Sequence, residues 1–297
     1  MAPMTPFDLP VVRTVAELRA RVRAWRAEGL RIGLVPTMGA LHEGHLSLVR
    51  RARESADRVV ASLFVNPAQF APGEDFEAYP RDEARDAELL ASVGCDLLYA
   101  PPIEVIYPQG FAATVTVSGI SAELEGAARP THFAGVATVV AKLLIQAEPD
   151  VAVFGEKDYQ QLLVIRRMAR DLDLPVEIVG APTVREQDGL ARSSRNAYLS
   201  KPERDLAGRL NVVLGDMAST LADGGAVADA EAEARAALGD AGITDIDYIE
   251  ARGAEDLHRL GSCTRPRRHP HRPHPADRQH GGGLGVWLRS SDSAPVD

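Results

Sequence analysis

Short apolar segments alternate with helical patterns along most of the chain, and this alternation limits the fold more than any other feature. Strands are expected at 32–35, 59–65, 97–100, 113–117, 151–154 and 176–179. Helical spacing of apolar residues separates several of them, notably at 44–55, 133–147 and 159–171. Strands that alternate with helices favour an α/β fold whose mostly parallel sheet is covered on both faces. In such sheets, ligands bind beyond the carboxyl ends of the strands.

The pattern changes after residue 186, which indicates a second and smaller domain. Helices are expected at 202–221 and 226–238, and a strand at 243–251. We therefore interpret 1–186 as one domain and 187–260 as a smaller α+β domain. At the other end of the chain, Thr14 and Glu17 have the spacing of a capping box, and Gly29 is suited to end the helix that they start.

Bulk properties exclude several functional classes. The 297-residue chain carries a formal net charge of -9, which argues against non-specific binding to nucleic acid. It contains no 18-residue apolar run that could cross a membrane, and its first residues lack the features of a secretory signal. Two cysteines, Cys95 and Cys263, make no disulfide framework, so a cytoplasmic location is expected.

The segment PTMGALHEGHL, residues 36–46, follows a predicted strand and opens a predicted helix. Its His42 and His45 form an H-x-G-H pattern, in which two imidazoles can donate hydrogen bonds to phosphate oxygens as charge builds up. Gly39 and Gly44 let the backbone approach a phosphate, and the helix N-terminus adds N–H donors and partial positive charge. The alternative is a pair of surface histidines at a helix start.

The segment FGEKDYQQ, residues 154–161, follows another predicted strand. Lys157 there lies where ligands bind in open α/β sheets, and only three of the 33 Lys and Arg residues are lysines. A lysine in this chain therefore indicates that a compact point charge is needed on phosphate. Asp158 and Gln161 share one helical turn and can face the same pocket, although an exposed lysine at a helix start would look similar.

Three further segments are polar and follow or precede predicted elements. FVNPAQF contains Asn66 and Gln69, which can bind hydroxyl or carboxylate groups, but a polar turn after a strand explains them equally well. RPTHFAGV contains Arg129 and His132, where the alternative is a helix cap with solvated charges. ARSSRNAYLS contains Ser193, Ser194 and Arg195, whose hydroxyls and guanidinium can clamp a triphosphate.

These segments, in this order and spacing, resemble the pantothenate synthetases over residues 10–260. H-x-G-H and Ser-Ser-Arg are shared with nucleotidylyltransferases in general, whereas FVNPAQF, THFAGV and GEKDYQQ make the resemblance specific. The resemblance implies a Rossmann-like first domain, a homodimer, and the use of ATP with Mg²⁺. It also implies a two-step reaction, in which pantoate attacks the α-phosphate and the β-alanine amine then attacks the acyl-adenylate.

The resemblance also assigns roles to individual residues, while metal ligands stay unidentified. Catalysis, through orientation and electrostatics, is assigned to His42, His45, Lys157, Ser193, Ser194 and Arg195. ATP binding is assigned to Pro36, Thr37, Met38, Gly39, His42, Gly44, His45, Gly155, Glu156, Lys157, Asp158, Ser193, Ser194 and Arg195. Pantoate binding is assigned to Met38, Asn66, Gln69 and Gln161, with Arg129 and His132 as further candidates.

Two positions within these segments depart from the family pattern. Arg192 stands where an apolar residue is usual, and Ala134 stands where Arg or Asp is usual. Neither is expected to touch a residue with a proposed chemical role, so the expected effects are modest.

The larger departure lies beyond Gly261, where Pro, Arg, His and Gly dominate. Composition of this kind predicts disorder. Read one nucleotide later, generic codons for 269–280 permit T-R-T-G-R-T-R-L-I-D-N, close to the segment that ends family members. We therefore hypothesise a single-nucleotide frame change near Leu260, in the gene or its sequencing. A tail of this kind would leave the strand at 243–251 with an exposed edge.

Two other functions stay open on the sequence alone. A nucleotidylyltransferase would move AMP onto a phosphate acceptor and release pyrophosphate without a carboxylate substrate. An impaired pseudoenzyme would bind nucleotide but lack activity because of the aberrant C-terminus.

Overall fold

The structure, a computed structural model, describes residues 9–71, 73–260 and 284–289. The chain divides into two compact units. The first unit runs to Glu186 and includes Ala191–Ala197, and the second contains Gln187–Leu190 and the chain from Tyr198 onward. No helix in the described ranges is long and apolar enough to cross a membrane.

Parallel strands form the main sheet of the first unit, as the sequence pattern predicts. The sheet contains β1 (Val11–Val12), β2 (Ile32–Thr37), β3 (Arg58–Leu63), β4 (Leu97–Tyr99), β5 (Val151–Gly155) and β6 (Glu177–Ala181). Its spatial order is β1-β4-β3-β2-β5-β6, and each neighbouring pair is parallel. The strand order therefore reverses between β2 and β5, which is where open sheets of this kind bind ligands.

Helices cover both faces of this sheet. They are α1 (Val15–Ala27), α2 (Glu43–Arg53), α3 (Glu83–Ser92), α4 (Ile103–Ile106), α5 (Glu125–Ala128), α6 (His132–Ala147) and α7 (Tyr159–Asp171). The predicted capping box is present at α1, where Thr14 and Glu17 each accept a backbone N–H of the other. Gly29, at φ +80°, follows the end of this helix as expected.

Alternation along the strands divides the core into two clusters. Leu34, Val60 and Phe154 pack with α1, α6 and α7 in one cluster. Val35 and Val153 pack with α2 and α3 in the other. Successive strand residues face opposite sides, so a fully apolar strand supplies both clusters.

The prediction of a strand at 113–117 is wrong. This segment is irregular, and the Val115 N–H donates to Thr138 Oγ1 of α6 at 2.9 Å instead of to a neighbouring strand. Its β-branched residues favour extended backbone but do not specify a strand partner, and here they pack beside α6.

The second unit combines α8 (Lys201–Ala222), α9 (Val227–Ala241), β7 (Tyr248–Gly253) and β8 (Leu284–Arg289). Leu210, Met217, Leu238 and Ile249 belong to its apolar core. The strand predicted at 243–251 begins only at Tyr248, because residues 243–247 are irregular.

The prediction that β7 has an exposed edge is also wrong. β8 pairs antiparallel with β7 along its whole length, from Tyr248 opposite Arg289 to Gly253 opposite Leu284. An unpaired strand edge is a template for another strand, and LGVWLR contains the aliphatic and aromatic residues that suit this role. The expectation of disorder therefore fails at 284–289, and the remainder of the predicted tail, 261–283 and 290–297, lies outside the described residues.

Candidate active site

Two of the predicted site segments lie at the point where the strand order reverses. H-x-G-H follows β2 and opens α2, and Lys157 follows β5, which pairs directly with β2. Burial lowers the pKa of His42, and the positive charge of Lys157 lowers it further, which indicates that the ammonium group lies near this imidazole. The chemistry-bearing loops therefore converge at the switch point of the sheet.

The two histidines form a reciprocal cap at the start of α2. The Gly44 N–H donates to His42 Nδ1 at 3.1 Å, and the His42 N–H donates to His45 Nδ1 at 3.3 Å. With both Nδ1 atoms accepting, each neutral ring carries its proton on Nε2. The ring centroids are 4.2 Å apart. The pair can therefore offer two N–H donors to one anionic group.

Both rings stay neutral at physiological pH. Burial, followed by the charges of Lys157 and Arg192, lowers the pKa of His42 to about 4. Burial, followed by His42, lowers the pKa of His45 to about 3. The charge of Arg192 reaches the His42 imidazole, so this departure from the family pattern acts at a distance on a residue with a predicted chemical role.

Glycine is required at residue 44 for a steric reason, in addition to the predicted approach of the backbone to a ligand. A Cβ at this position would lie 2.8 Å from His42 Cε1 and 2.9 Å from Nδ1, closer than such atoms can pack. The imidazole therefore occupies the space of a side chain at residue 44, and only glycine leaves the ring where it is.

Asp86 of α3, which was not predicted from the sequence, accepts backbone N–H groups of the loop between β2 and α2. Gly39 and Ala40 both have positive φ, +92° and +52°. The Asp86 carboxylate accepts the Ala40 N–H at 2.9 Å and the Leu41 N–H at 2.8 Å, and Asp86 is only 1% exposed. Burial raises the pKa of this carboxyl. An acidic residue beside Ala87 and Leu90 on the buried face of α3 was the available signal.

Four other predicted site residues at the ends of β2 and β5 belong to these strands or pack against the neighbouring strand. Pro36 and Thr37 belong to β2, and the Thr37 hydroxyl donates to the Ser62 carbonyl oxygen of β3 at 2.7 Å. Gly155 is the last residue of β5. The Glu156 carboxylate lies against β6, where a Cβ on Gly180 would come within 2.8 Å of Oε1.

Asn66 and Gln69 follow β3, in the 3₁₀ turn Pro67–Gln69 and its cap. Asn66 Nδ2 donates to Gln69 Oε1 at 3.1 Å and to the Gly135 carbonyl oxygen of α6 at 3.2 Å. Gln69 Nε2 lies 3.0 Å from Met38 Sδ. The structure thus brings the predicted pantoate residues Met38, Asn66 and Gln69 together.

The close approach of α6 fixes this turn. A Cβ on Gly135 would overlap the Ala68 carbonyl group. The Asn66 side-chain oxygen accepts the Ala68 N–H at 3.2 Å and the Tyr107 hydroxyl at 2.7 Å. With 1% exposure and four hydrogen bonds inside the protein, Asn66 orients Gln69 and has little capacity left for a ligand.

Lys157 and Gln161 flank the start of α7. Lys157 Nζ is 3.3 Å from Asp158 Oδ1. The charge of Asp158 also acts on His42, His45 and His132, which places this carboxylate near all three imidazoles. Gln161 lies in the first turn of α7, while the buried Gln160 beside it donates to the Ile120 and Glu123 carbonyl oxygens.

Arg129 and His132 are directed toward the protein itself. The Arg129 guanidinium pairs with Glu74, with its Nε 2.7 Å from Oε1, and with Glu125 at 3.1 Å. His132 Nδ1 lies 3.0 Å from the Gln69 carbonyl oxygen, so it carries the proton and leaves Nε2 as an acceptor. Burial and the Arg129 charge lower the pKa of His132. A substrate carboxylate would have to compete with Glu74 and Glu125 for Arg129.

The Ser-Ser-Arg segment has its own acidic partner. Arg195 forms a two-point contact with Asp75, with Nε at 3.2 Å and a terminal nitrogen at 3.1 Å. Ser194 Oγ is 3.5 Å from the Tyr79 hydroxyl, and Ser193 Oγ accepts the Arg195 N–H at 3.3 Å. Glu74 and Asp75, which the sequence analysis missed, therefore pair with two predicted ligand-binding arginines from adjacent positions.

Comparison with known proteins shows the family to which the chain belongs. The family model described as pantoate-beta-alanine ligase matches residues 10–271. The chain belongs to the pantoate-beta-alanine ligase family. The match contains every motif segment from Pro36 to Arg195, and it ends before residues 272–297.

Individual relatives show the same likeness over most of their length. A pantothenate synthetase of Caulobacter vibrioides is 64% identical over 251 residues, covering 84% of this chain and 88% of the relative. The crystal structure of pantothenate synthetase from Thermus thermophilus is 53% identical, with a TM-score of 0.79, covering 85% of this chain and 90% of that one.

A third relative was solved with ligands. The pantoate-beta-alanine ligase of Francisella tularensis, complexed with beta-gamma ATP and beta-alanine, is 33% identical with a TM-score of 0.72. It covers 82% of this chain and 89% of its own. The expected membership in this family is therefore confirmed.

Proposed function

We propose that this chain condenses pantoate with β-alanine in an ATP-dependent reaction, through a pantoyl-adenylate, and releases AMP and pyrophosphate. The observation that carries the proposal is the pair of neutral imidazoles at the start of α2, which lie beside Lys157 within a chain of this family. Two fixed N–H donors and a point charge at a helix N-terminus suit a triphosphate whose charge redistributes during adenylation.

In the first step, a pantoate carboxylate oxygen attacks the α-phosphorus, and the bond to the pyrophosphate oxygen breaks. The imidazoles of His42 and His45 donate to the phosphate oxygens, and Lys157, Ser193, Ser194 and Arg195 hold the remaining phosphates. Backbone at Met38, Gly155 and Asp158 flanks the nucleotide. The residues need only orient the reactants and stabilise charge, so no covalent enzyme intermediate is involved.

In the second step, the β-alanine amine attacks the acyl carbon and AMP leaves. Gln69 and Gln161 hold the pantoyl group through its hydroxyls, and Asn66 orients the Gln69 amide. Neutral amides suit this role because they recognise hydroxyl oxygens without adding charge beside an anionic adenylate.

Mg²⁺ enters this scheme as part of the nucleotide substrate. The described residues contain no group of three or more His, Cys, Asp or Glu side chains suited to a metal ion. Mg²⁺ bound to nucleotides keeps several waters and takes phosphate oxygens as ligands, so it needs few protein ligands.

The test is an assay of pantothenate and AMP formation with pantoate, β-alanine and Mg·ATP, omitting each substrate in turn. Pantothenate that depends on all three supports the proposal. Pyrophosphate release without a carboxylic acid would instead favour a nucleotidylyltransferase. ATP binding without any turnover would favour the pseudoenzyme.

Two further properties stay predictions, the first from family membership and the second from the cysteine content. We expect a homodimer, which light scattering on the purified chain would measure directly. A cytoplasmic location stays a prediction from the cysteine content, since Cys95 is a free and buried thiol.

A further inference from the structure

One tyrosine outside the predicted segments reaches into the pantoate subsite. Tyr107 follows α4, and its backbone N–H donates to the Ile103 carbonyl oxygen to end that helix. Its ring packs against Phe64 and Phe111, with centroids 6.2 and 5.1 Å away. Its hydroxyl donates to Asn66 Oδ1 at 2.7 Å. The ring is therefore fixed by packing, and the hydroxyl has a defined target.

The donor role of this hydroxyl follows from its surroundings. The Ala68 N–H and the Gly135 carbonyl group fix which end of the Asn66 amide is oxygen and which is nitrogen. Tyr107 therefore faces the oxygen and must donate. Burial raises the pKa of Tyr107 to about 12, so the hydroxyl keeps its proton throughout the working range.

The contact continues through Asn66 to Gln69. Asn66 Nδ2 donates to Gln69 Oε1, and this bond sets the Gln69 amide with its nitrogen toward Met38 Sδ at 3.0 Å. Met38 lies in the loop that leads to His42. Gln69 thus presents an N–H group toward the loop between β2 and α2.

We propose that Tyr107 is a positioning residue that fixes the Gln69 amide through Asn66, and thereby sets the preference for a hydroxylated carboxylic acid. The inference rests on the proposed function. A site with a fixed donor gains most from a substrate oxygen at the matching place, and an analogue without that oxygen leaves the donor unpaired. Without the tyrosine hydroxyl, Asn66 Oδ1 keeps only the Ala68 N–H, so the Asn66 amide loses one of its four hydrogen bonds and holds the Gln69 amide less precisely.

The test compares Tyr107→Phe with Tyr99→Phe. Tyr99 is a matched control, because its hydroxyl also donates to a side-chain amide, Gln146 Oε1, at 3.0 Å. Gln146 lies eleven residues beyond Gly135 in α6, about 16 Å along the helix. Each variant loses one hydrogen bond to a side-chain amide and keeps the ring, and the bond of Tyr99 is the more deeply buried of the two, so the control should lose at least as much stability.

For Tyr107→Phe, the KM for pantoate should rise about fivefold, which corresponds to about 1 kcal/mol, the usual value of one hydrogen bond. The KM values for ATP and β-alanine should stay unchanged. For 3,3-dimethylbutanoate, which lacks both pantoate hydroxyls, kcat/KM measured by pyrophosphate release should stay unchanged. The preference for pantoate over this analogue, expressed as the ratio of the two kcat/KM values, should therefore fall about fivefold. Tyr99→Phe should behave as the unmodified chain in every kinetic measurement.

An unchanged pantoate KM in Tyr107→Phe would overturn the inference. Equal rises for all three substrates would also overturn it, because they would indicate a general structural role. If the unmodified chain forms no pantothenate, the proposed function fails first, and the inference fails with it. Activity in the unmodified chain therefore separates the two failures.

Discussion

The steric role of Gly44 leads to a sharp prediction for Gly44→Ala. The new Cβ would lie 2.8 Å from His42 Cε1, whereas carbon atoms pack best at about 3.5–4.0 Å. The backbone here belongs to the first turn of α2, so the imidazole has to move, by up to about 1 Å. A displacement of that size at a reacting centre can cost about 10²-fold in rate. We therefore expect kcat for pantoyl-adenylate formation to fall about 100-fold.

Stability should not follow activity in this variant. Alanine is favoured over glycine in helices by about 1 kcal/mol. The displaced ring weakens the hydrogen bond from the Gly44 N–H to Nδ1, which is worth about 1 kcal/mol. These contributions nearly cancel, so the free energy of unfolding should change by less than about 1 kcal/mol. Loss of activity at constant stability is the signature of a displaced catalytic ring.

The measurement is pyrophosphate release with pantoate and Mg·ATP, together with urea unfolding. Gly215→Ala is the matched control, because it is a helical glycine in α8 whose Cβ would meet nothing within 4 Å. The control should keep full activity and gain up to about 1 kcal/mol. A Gly44→Ala variant with kcat within twofold of the unmodified chain would refute the assignment of His42 as a positioned donor.

Three other predictions concern charge, pH and the reading frame. Lys157→Ala should lower adenylate formation roughly 10²-fold or more with little loss of stability, while Lys201→Ala, at an exposed lysine, should change neither. Because the pKa values of His42 and His45 are lowered in the folded chain, the unfolded chain binds more protons than the folded chain below about pH 6.5. Each ring should therefore lower the free energy of unfolding by on the order of 2 kcal/mol as pH falls from 7 to 5. Urea unfolding should therefore show a weaker pH dependence after both are replaced by Gln, and an equal dependence would contradict the assigned pKa values. Sequencing the DNA across codons 255–285 should show the family C-terminus in the shifted frame, and its absence would reject the frame-change hypothesis.

The regular elements of the first unit were largely predictable, because each carries its own local signal. A capping box started α1, and apolar runs marked β2, β3 and β5. The helices α3, α4 and α5 were missed, two of them only four residues long. The strand expected at 113–117 failed because strand formation depends on a partner edge, which a local pattern does not specify. The same dependence explains why β8 was missed, since its pairing with β7 is a property of the folded second unit.

The residue types of the site were predictable from their motifs, but not the contacts that orient them. The spacing of His42 and His45 indicated phosphate contacts, yet the reciprocal capping that fixes both tautomers appears only when the backbone N–H groups are placed. Asp86 and Tyr107 lie outside the segments that the motifs define. Both act through backbone or side-chain partners distant in sequence, and such partnerships leave no signal in residue spacing.

The acidic partners of the site arginines could not be predicted from the spacing of residues in the motifs. A motif identifies Arg129 and Arg195 as cations for an anionic ligand, and the structure pairs them with Glu74 and Asp75. Because each guanidinium already makes charge-assisted hydrogen bonds, a phosphate or carboxylate gains only the difference between its own contacts and the ones it replaces. The hydrogen bonds of His42 and His45 within the described ranges run through Nδ1 to backbone N–H groups, which leaves the protonated Nε2 atoms for a ligand. Discrimination for the triphosphate should therefore depend more on these neutral, fixed donors than on the number of nearby arginines.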